Sequence, residues 1–425
     1  MPIKVVLPTL HAGQVAALQM PGRFKSIRCG RRFGKTVLLS TIACDGCIKS
    51  ENIGIFAPDY KTISETYNEI ADILEPVKMS SSKIDGVIRT ITGGRIDFWT
   101  LENERAGRSR KYHKVLFDEA AHTKPNLMRI WELAISPTLL DYKGSAIAFS
   151  TPNGVNQNNF FWRICNEKKH GFVDFHAPTA SNPFLPADEI EEYRKKYHPL
   201  VFQQEFLAEF VDWSGVAFFG KDHLLVDGQG VPYPSGCDTV FAVIDSAVKG
   251  GREHDGTAVT YWALSDFNAH KLICLDYDII SIDGALLEHW IPSVFSRLEE
   301  LAKMCRARFG SRGAFIEDAA SGSILLQQCA LRGFPTEALP GDLTAAGKDA
   351  RAINASSPVW RGEVKFSDYA YDKIVVFKEA ERNHLASQVF SFRVGDKNAN
   401  TRADDLLDTF TYAIAISLGD QKGIA

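Results

Sequence analysis

The sequence predicts an α/β protein with two domains, and two observations support this prediction. From Ser26 to about Trp213, short β-rich runs alternate with longer helical segments, a pattern typical of a mainly parallel sheet. After a Gly- and Pro-rich stretch, further β runs and a closing amphipathic helix near Asp404 indicate a second α/β domain. The expected bounds are 1–212 for the first domain, 213–236 for a linker and 237–425 for the second domain.

The expected strands follow from these β-rich apolar runs. In the first domain they are residues 26–29, 53–57, 96–100, 115–117 and 146–150. In the second domain they are residues 240–244, 257–264, 271–276 and 313–316, the first two as a hairpin. Each run is short and bounded by polar or turn residues, as buried strands are.

Composition and charge limit the class of protein. With 425 residues, 45% of them hydrophobic and 24% charged, the chain can bury ordinary globular cores, which excludes a mainly disordered protein. The 48 Lys and Arg against 52 Asp and Glu leave a formal net charge of -4. The chain therefore does not hold nucleic acid through overall positive charge, and any polyanion must bind local patches.

The chain also lacks the marks of a membrane or secreted protein. No apolar run approaches the ~20 residues that cross a bilayer, and the first ten residues lack the order of a secretory signal, so we expect a soluble intracellular protein. The eight cysteines are scattered, which argues against a disulfide framework. Cys44 and Cys47 have CxxC spacing within an apolar run, where buried helix packing is favoured over a metal or redox site.

A phosphate-binding loop is predicted in the segment IRCGRRFGKTVLLSTIA, which reads as strand, glycine turn and helix. Backbone N–H groups at Gly34 and the helix N-terminus would face phosphate oxygens, Lys35 would reach the terminal phosphates, and the Thr36 hydroxyl would hold Mg²⁺. The segment departs from the GxxxxGK[ST] pattern, because Cys29 stands at the first glycine position and Gly30 comes one residue late.

Two further strand ends strengthen the nucleotide-site prediction. The segment KVLFDEAAH ends a strand with Asp118, a candidate Mg²⁺ ligand, and Glu119, which can polarise the attacking water. The segment AIAFSTPNG ends another strand with Ser150 and Thr151, whose hydroxyls could sense the γ-phosphate. The alternatives are a solvated strand end for the acids and a plain turn for the hydroxyls.

Arginines and one glutamine are further candidates near this site. The arginines are Arg31 and Arg32 in the loop, and Arg105, Arg108 and Arg110 before the acid strand. One of them could stabilise charge on the transferring phosphoryl group as an arginine finger, in cis or in trans, whereas the second cluster could equally be a solvated or DNA-facing patch. Gln14 could offer its amide to the adenine edge, or could be a surface helix glutamine.

The second domain carries acids at three places. They are Asp245 after an apolar strand, Glu317 and Asp318 after another, and Asp404, Asp405 and Asp408 at the start of the last helix. Such carboxylates can converge on two Mg²⁺ or Mn²⁺ ions about 4 Å apart, which activate water and stabilise the leaving oxygen in phosphodiester cleavage. The alternative is a set of helix caps and solvated acids, with Asp404 as an N-cap. The choices between Glu317 and Asp318 and within the last cluster stay open, and Asp255 is interpreted as structural.

The motifs as a set resemble a known family. In order they are LHAGQ, RCGRRFGKT, VLFDEAAH, FSTPNG, FQQEFLAEFVDWSG, AVIDSA, IEDAASG and ADDLLDTFTYA. From about His11 to about Ala415, this order resembles the large terminase subunit of tailed bacteriophages. The resemblance implies an N-terminal P-loop ATPase that drives double-stranded viral DNA into the procapsid, followed by a C-terminal ribonuclease-H-like nuclease that cuts the concatemer.

The resemblance also implies roles for residues of this chain. The nucleotide and metal set, for ATP and Mg²⁺, comprises Gln14, Arg31, Arg32, Gly34, Lys35, Thr36, Asp118, Ser150 and Thr151, with Glu119 as the catalytic carboxylate. The nuclease metals, Mg²⁺ or Mn²⁺, would be held by Asp245, Glu317, Asp318, Asp404, Asp405 and Asp408, with Asp245, Asp318 and Asp405 assigned to catalysis. Ser150 and Thr151 are the implied coupling motif.

Partners and location are implied in the same way. The implied partners are the portal protein, the small terminase subunit and further copies of the chain in a homo-oligomeric ring on the procapsid. The implied location is the host cytoplasm, without a membrane, and the chain is not expected to be part of the mature virion. A motor moving along DNA should grip phosphates with little base readout, and the candidates are Lys249, Arg252, Lys348 and Arg351. The alternatives are a helicase or repair-type ATPase with an inactive nuclease-like domain, and a structural oligomer component that uses ATP as a switch.

Overall fold

The chain forms two compact units in a computed structural model. The structure describes residues 3–213, 218–246, 256–282, 287–318, 321–345, 347–393 and 404–419. The first unit comprises Met1–Arg194 and Pro199–Asp212, and the second comprises Lys195–His198 and Trp213–Ala425.

The first unit is built on one eight-stranded sheet. Its strands are β1 (Phe24–Cys29), β2 (Asn52–Ala57), β3 (Lys78–Ser82), β4 (Val87–Thr90), β5 (Arg95–Thr100), β6 (Lys114–Phe117), β7 (Ser145–Ser150) and β8 (Phe172–Ala177). The order across the sheet is β3-β4-β5-β2-β6-β7-β1-β8. In this order, all neighbouring strands in the run β5-β2-β6-β7-β1-β8 are parallel, whereas β4 pairs antiparallel with both β3 and β5. The five predicted strands are confirmed, each within two residues.

Helices cover both faces of this sheet. They are α1 (Ala12–Gln19), α2 (Lys35–Ile48), α3 (Tyr60–Ile73), α4 (Leu127–Ile130), α5 (Phe160–Asn166), α6 (Ala187–Lys196) and α7 (Pro199–Glu205). Alternate strand residues enter different cores: Ile53 and Ile55 of β2 pack in one, and Phe56 packs in the other. Cys44 and Cys47 are buried free thiols in the first of these cores, as predicted.

The second unit is built on a six-stranded mixed sheet and a small hairpin. The strands are β9 (Thr239–Asp245), β10 (Thr257–Leu264), β11 (Leu272–Ile280), β12 (Ser311–Ile316), β13 (Thr336–Ala338), β14 (Val364–Phe366), β15 (Val375–Phe377) and β16 (Ala380–Arg382). The sheet order is β13-β12-β9-β10-β11-β14. The first three strands form an antiparallel meander, and β12 then returns parallel to β9. This is a ribonuclease-H-like arrangement, so the predicted fold class is confirmed for both units.

Along the chain, the helices of the second unit lie before, between and after its strands. They are α8 (Lys221–Leu224), α9 (Leu287–Met304), α10 (Ser321–Leu331), α11 (Gly341–Ala345), α12 (Lys348–Trp360), α13 (Asp368–Asp372), α14 (His384–Ser391) and α15 (Asp405–Leu418). The predicted closing helix is α15, which packs against β9, β10 and α12. No helix within the described ranges is long and apolar enough to cross a membrane.

The stretch expected to be a linker differs from that expectation. Within 213–236, residues 218–236 are part of the second unit, and most of their apolar side chains are buried. Phe219 is 1% exposed, Leu224 is buried in α8, and the N–H of Val231 donates to the carbonyl of Phe366 in β14 at 2.9 Å. Gly and Pro content therefore marks irregular backbone here, not a segment without tertiary contacts.

Candidate functional site

The loop between β1 and α2 has the backbone of a phosphate-binding turn. Gly34 adopts a left-handed conformation (φ 96°), and Lys35 and Thr36 then begin α2, so the helix N-terminus faces the loop. Gly30 is required by close packing, because a Cβ there would lie 2.4 Å from Thr179 Oγ1. Gly30, which comes one residue late in the pattern, therefore allows the close approach of Thr179 and does not form a turn.

Lys35 is directed into the site. Its side chain is 9% exposed, its Nζ donates to the carbonyl of Cys29 at 3.4 Å, and it lies 3.9 Å from Glu119 Oε1. The Cys29 thiol is fully buried, and burial raises its pKa to about 12, so it is neutral near pH 7. The loop thus presents one cation, Lys35, opposite the acids that follow β6.

The two acids after β6 occupy different environments. Asp118 is buried, and Thr66 Oγ1 from α3 donates to its Oδ2 at 2.9 Å. Burial, and then the charge of Glu119, raise the pKa of Asp118 to about 6. Glu119 itself is one-third exposed and adopts a left-handed backbone conformation (φ 45°), which turns its carboxylate back towards Lys35.

Ser150, at the end of β7, is linked directly to Glu119. Its Oγ donates to Glu119 Oε2 at 3.0 Å and accepts from the N–H of Ala121 at 3.1 Å. Thr151 follows it and is 4% exposed. A hydroxyl in this position can hold the glutamate carboxylate in one orientation, which is the geometry that a coupling residue needs.

Gln14 and the loop arginines have protein partners in this structure. Gln14 is buried, its Oε1 accepts from the N–H of His11 at 2.9 Å, and its Nε2 donates to the carbonyl of Gly34 at 2.9 Å. Arg31 Nε pairs with Glu205 Oε2 at 2.6 Å, and the Arg32 carbonyl accepts from Asn182. The adenine role of Gln14 stays a prediction, and in this structure its amide supports the loop.

The second arginine cluster is exposed at Arg105 and Arg108. Arg110 is also exposed, but it lies 3.6 Å from the buried Asp97, and its guanidinium lies over the Trp99 ring. The cluster therefore includes one arginine tied to the sheet and two that face solvent.

Three elements bring acids together in the second unit. Asp245 ends β9, and Glu317 follows β12, which pairs with β9 in parallel register, so both leave the same edge of the sheet. Asp405 and Asp408 lie on α15, where both are buried. Burial raises the pKa of Asp245 well above its ordinary value. Three neighbouring charges raise it further: Asp408, Asp405 and Glu317.

The structure separates the alternatives that the sequence left open. Glu317 is half-buried and interacts electrostatically with Asp408, whereas Asp318 is exposed and accepts a hydrogen bond from Ser323 Oγ at 2.5 Å. Glu317, not Asp318, therefore belongs to the acid cluster. Asp404 stands at the N-cap of α15, but its side chain makes no capping hydrogen bond. The Oδ2 of Asp405 accepts from the N–H of Gly256 at 3.2 Å.

Two cations from α12 enter this cluster. Lys348 Nζ pairs with Asp404 Oδ2 and lies 3.6 Å from Asp408 Oδ2. Arg351 is buried, and its Nη2 donates to Asp408 Oδ1. The expectation that Arg351 contacts DNA is wrong for this structure, because its guanidinium is turned inward. The other two DNA candidates, Lys249 and Arg252, and also Asp255, lie outside the described residues.

The donor set of the cluster fits a hard divalent cation, since it consists of carboxylates with high mutual repulsion. Asp245, Glu317, Asp405 and Asp408 are the residues that would hold such an ion. Within the described part of the chain, however, no three His, Cys, Asp or Glu side chains are arranged to hold a metal ion. Carboxylates of this cluster are instead paired with the side chains of α12.

Sequence reasoning missed several residues that shape these sites. Thr66, Thr179 and Glu205 position the nucleotide loop and Asp118, and none of them was a predicted site residue. Lys348 and Arg351 were predicted only as DNA contacts, and in the structure they pair with Asp404 and Asp408. Only Glu205 lay in a quoted motif, FQQEFLAEF. The others lie on elements distant in sequence, and their types are too common to mark a site.

The fold and the two acid centres define a class of protein: a P-loop nucleotide-hydrolase fold joined to a ribonuclease-H-like fold. The family model "Terminase large subunit, T4likevirus-type, N-terminal" matches residues 27–223. Residues 27–223, slightly less than half of the chain, are therefore similar to the N-terminal domain of terminase large subunits.

Individual relatives agree with this assignment. Terminase large subunits of Thermus phage G20c and Thermus virus P23-45 are each 37% identical over 129 residues, which is 26% of this chain. The match spans about a quarter (25%) of the length of these relatives.

The whole chain has the fold of a solved phage protein. The match with the large terminase of a thermophilic bacteriophage covers 97% of this chain and 100% of that protein, with TM-score 0.69 and 13% identity. The match with the ADP complex of the same phage protein covers 96% and 99%, with TM-score 0.65 and 14% identity. At this identity the likeness shows the fold of both units.

Proposed function

We propose that the chain is the ATPase and endonuclease subunit of a viral DNA-packaging motor. ATP hydrolysis in the first unit would drive double-stranded DNA into the procapsid, and a two-metal site in the second would cut concatemeric DNA. The observation that carries the proposal is the presence of two separate carboxylate centres. One lies beside Lys35, and the other lies at the β9 and β12 strand ends.

In the first unit, the proposed roles follow from position. Lys35 would bind the terminal phosphates, and Thr36 and Asp118 would hold Mg²⁺, which would screen the phosphate charge. Glu119 orients the attacking water and takes its proton. Ser150 holds the Glu119 carboxylate, and so links the catalytic acid to the end of β7. The large terminase of the thermophilic bacteriophage, which shares this fold, is described in complex with ADP and with ATP-gamma-S.

In the second unit, the proposed nuclease ligands are the four clustered acids: Asp245, Glu317, Asp405 and Asp408. Two Mg²⁺ or Mn²⁺ ions would supply an activated water and stabilise the leaving oxygen. Asp245 and Glu317 at neighbouring strand ends, with the buried Asp405 and Asp408 of α15, would supply the required donors from rigid elements. Asp318 and Asp404 are left out of the inner set, because Asp318 faces solvent and Asp404 lies on the rim with Lys348.

The proposed partners are double-stranded viral DNA, the portal protein, the small terminase subunit and further copies of this chain in a ring. The proposed location is the host cytoplasm, with transient docking on the procapsid and absence from the mature virion. The similarity of residues 27–223 to the terminase large subunit family model supports these partners. The formal charge of -4 is consistent with local phosphate contacts and not with a generally basic surface.

Reciprocal variants test the proposal. Glu119→Gln should lower ATP hydrolysis by roughly 100-fold or more, the range of a lost general base, and leave Mn²⁺-dependent plasmid nicking intact. Asp245→Asn should abolish nicking and leave hydrolysis intact. Phosphate release and plasmid electrophoresis measure the two activities on the full chain.

Exposed acids of each unit supply the controls. Glu132→Gln and Asp372→Asn change surface carboxylates and should leave both activities unchanged. Loss of both activities in each of the two site variants would contradict the model of two centres.

A further inference from the structure

The acid cluster of the second unit contains its own counter-ions. Lys348 and Arg351 lie three residues apart on α12, a spacing that places them on one face of the helix. That helix packs against α15, which carries Asp405 and Asp408. Both cations therefore enter the cluster from the same side.

The two cations are held in different ways. Arg351 is buried, donates to Asp408 Oδ1, and places its guanidinium 4.6 Å from the centroid of the Tyr412 ring. Its planar group is thus fixed by an ion pair and an aromatic face. The side chain of Lys348 is 43% exposed and ends a flexible stem, so its ammonium can leave the cluster without exposing a cavity.

Asp408 is engaged on both oxygens. Arg351 Nη2 contacts Oδ1, and Lys348 Nζ lies 3.6 Å from Oδ2 and also pairs with Asp404. A carboxylate paired in this way is a poor ligand until one cation moves. This agrees with the finding that the described residues contain no ready three-ligand metal group.

We propose that Lys348 is a displaceable internal cation that holds the acid cluster closed in the absence of divalent metal. In this proposal, which rests on the proposed nuclease function, its ammonium leaves Asp408 when a divalent ion is bound, while Arg351 stays as a positioning residue. The ammonium and the metal then compete for the same carboxylate. Metal affinity is lowered by the free energy of the Lys348 pair, so that the site fills only where divalent ions are abundant.

Mn²⁺ titration calorimetry on the full chain, without nucleotide or DNA, tests the competition. Lys348→Gln should tighten the Mn²⁺ binding that Asp245→Asn abolishes, by roughly 10-fold, within the usual range of coupling between two ligands. Lys348→Arg keeps the charge and should bind as the unchanged chain does. Unchanged or weaker Mn²⁺ binding in Lys348→Gln would overturn the proposal.

Lys271→Gln is the matched control. Its side chain is also 43% exposed, and its Nζ pairs with Glu363 Oε1 at 3.1 Å in the same unit, outside the acid cluster. This variant should not change Mn²⁺ affinity. An equal gain in both lysine variants would show a general charge effect and would also overturn the proposal.

A second measurement follows Lys348 in the unchanged chain, so that it does not depend on the folding of a Lys348 variant. An amine-reactive ester labels lysines, and mass spectrometry follows Lys348 relative to Lys271 as Mn²⁺ is added. Lys348 labelling should rise severalfold, and the rise should be absent in Asp245→Asn. If Mn²⁺ binds through Asp245 but the labelling stays constant, this inference alone fails. If no Mn²⁺ binding depends on Asp245, the proposed nuclease centre fails with it.

Discussion

At the scale of single residues, the nucleotide site depends on how Glu119 is held. In this structure its carboxylate accepts from Ser150 Oγ at 3.0 Å and lies 3.9 Å from Lys35 Nζ. A left-handed backbone at Glu119 is costly for a non-glycine residue, and such strain is found at sites where an exact orientation matters. Ser150 is thus expected to control the orientation of Glu119 and not nucleotide affinity.

Replacing Ser150 by Ala tests this role. We expect kcat for ATP hydrolysis to fall roughly 10-fold with little change in KM, because orientation is lost while phosphate contacts remain. Steady-state phosphate release gives both constants. Ser145→Ala, at the other end of β7, should leave both unchanged. A rise in KM with normal kcat would instead place Ser150 in nucleotide binding.

Asp118 makes stability depend on pH. Its pKa of about 6 exceeds the usual ~3.9, so between these values the folded chain binds more protons than the unfolded chain. The contribution of the protonated Asp118 carboxyl to the free energy of unfolding is therefore complete below about pH 4, and it is lost as the pH rises through about 6. The measurement is made in chelator and without nucleotide. There the free energy of unfolding of Asp118→Asn should not fall over this pH range, and by pH 7 it should exceed that of the unchanged chain by roughly 3 kcal/mol.

Urea unfolding at several pH values between 4.5 and 7.5 measures that difference. Asp372→Asn, which replaces an exposed acid, should follow the unchanged chain across the range. Parallel curves for Asp118→Asn and the unchanged chain would show that the carboxyl is not perturbed.

At the scale of elements, the segment after β8 holds the phosphate-binding loop from the side opposite α2. Thr179 Oγ1 donates to the Arg31 carbonyl at 2.7 Å, and the Arg31 N–H donates to the Glu205 carbonyl at 2.7 Å. These contacts use backbone groups of the loop that would otherwise lack partners. Hydrogen bonds with Thr179 and Glu205 therefore hold the loop in place without a bound nucleotide.

Gly30→Ala should disrupt these contacts of the loop. The added Cβ would lie 2.4 Å from Thr179 Oγ1 and 2.5 Å from the Phe206 carbonyl, and a backbone atom cannot give way cheaply. We expect a loss of roughly 1–3 kcal/mol in unfolding free energy and weakened ATP binding, measured by urea unfolding and by fluorescent-nucleotide titration. Gly236→Ala, where no atom lies within 4 Å of the added Cβ, should change neither. Normal stability in Gly30→Ala would show that the loop can shift.

At the scale of the whole molecule, two compact units each carry one acid centre. Each centre lies at the carboxyl ends of neighbouring parallel strands: β6 and β7 in the first unit, β9 and β12 in the second. Strand-end sites of this kind need only one sheet each. Because each unit has its own centre, Glu119→Gln is expected to lose only ATP hydrolysis and Asp245→Asn only DNA nicking.

Much of this arrangement was predictable from local sequence. Apolar runs of three to eight residues located nine strands, because buried strands need such runs whatever their partners. Seven of the described strands were not predicted: β3, β4, β8 and β13 to β16. The residues of β3, β4 and β8 are largely polar or half-exposed, so these strands lack the apolar signal. The strands β13 to β16 are only three residues long, which is too short for a periodic pattern.

The sequence by itself determined which side chains follow strands and open helices, because periodicity and turn chemistry act over a few residues. That was enough for Lys35, Asp118, Glu119 and Asp245. Only the tertiary structure decided between Glu317 and Asp318, brought α12 cations to Asp408, and packed residues 218–236 into the second unit. Those outcomes depend on burial and charge pairing between segments far apart in the chain, which no local pattern records.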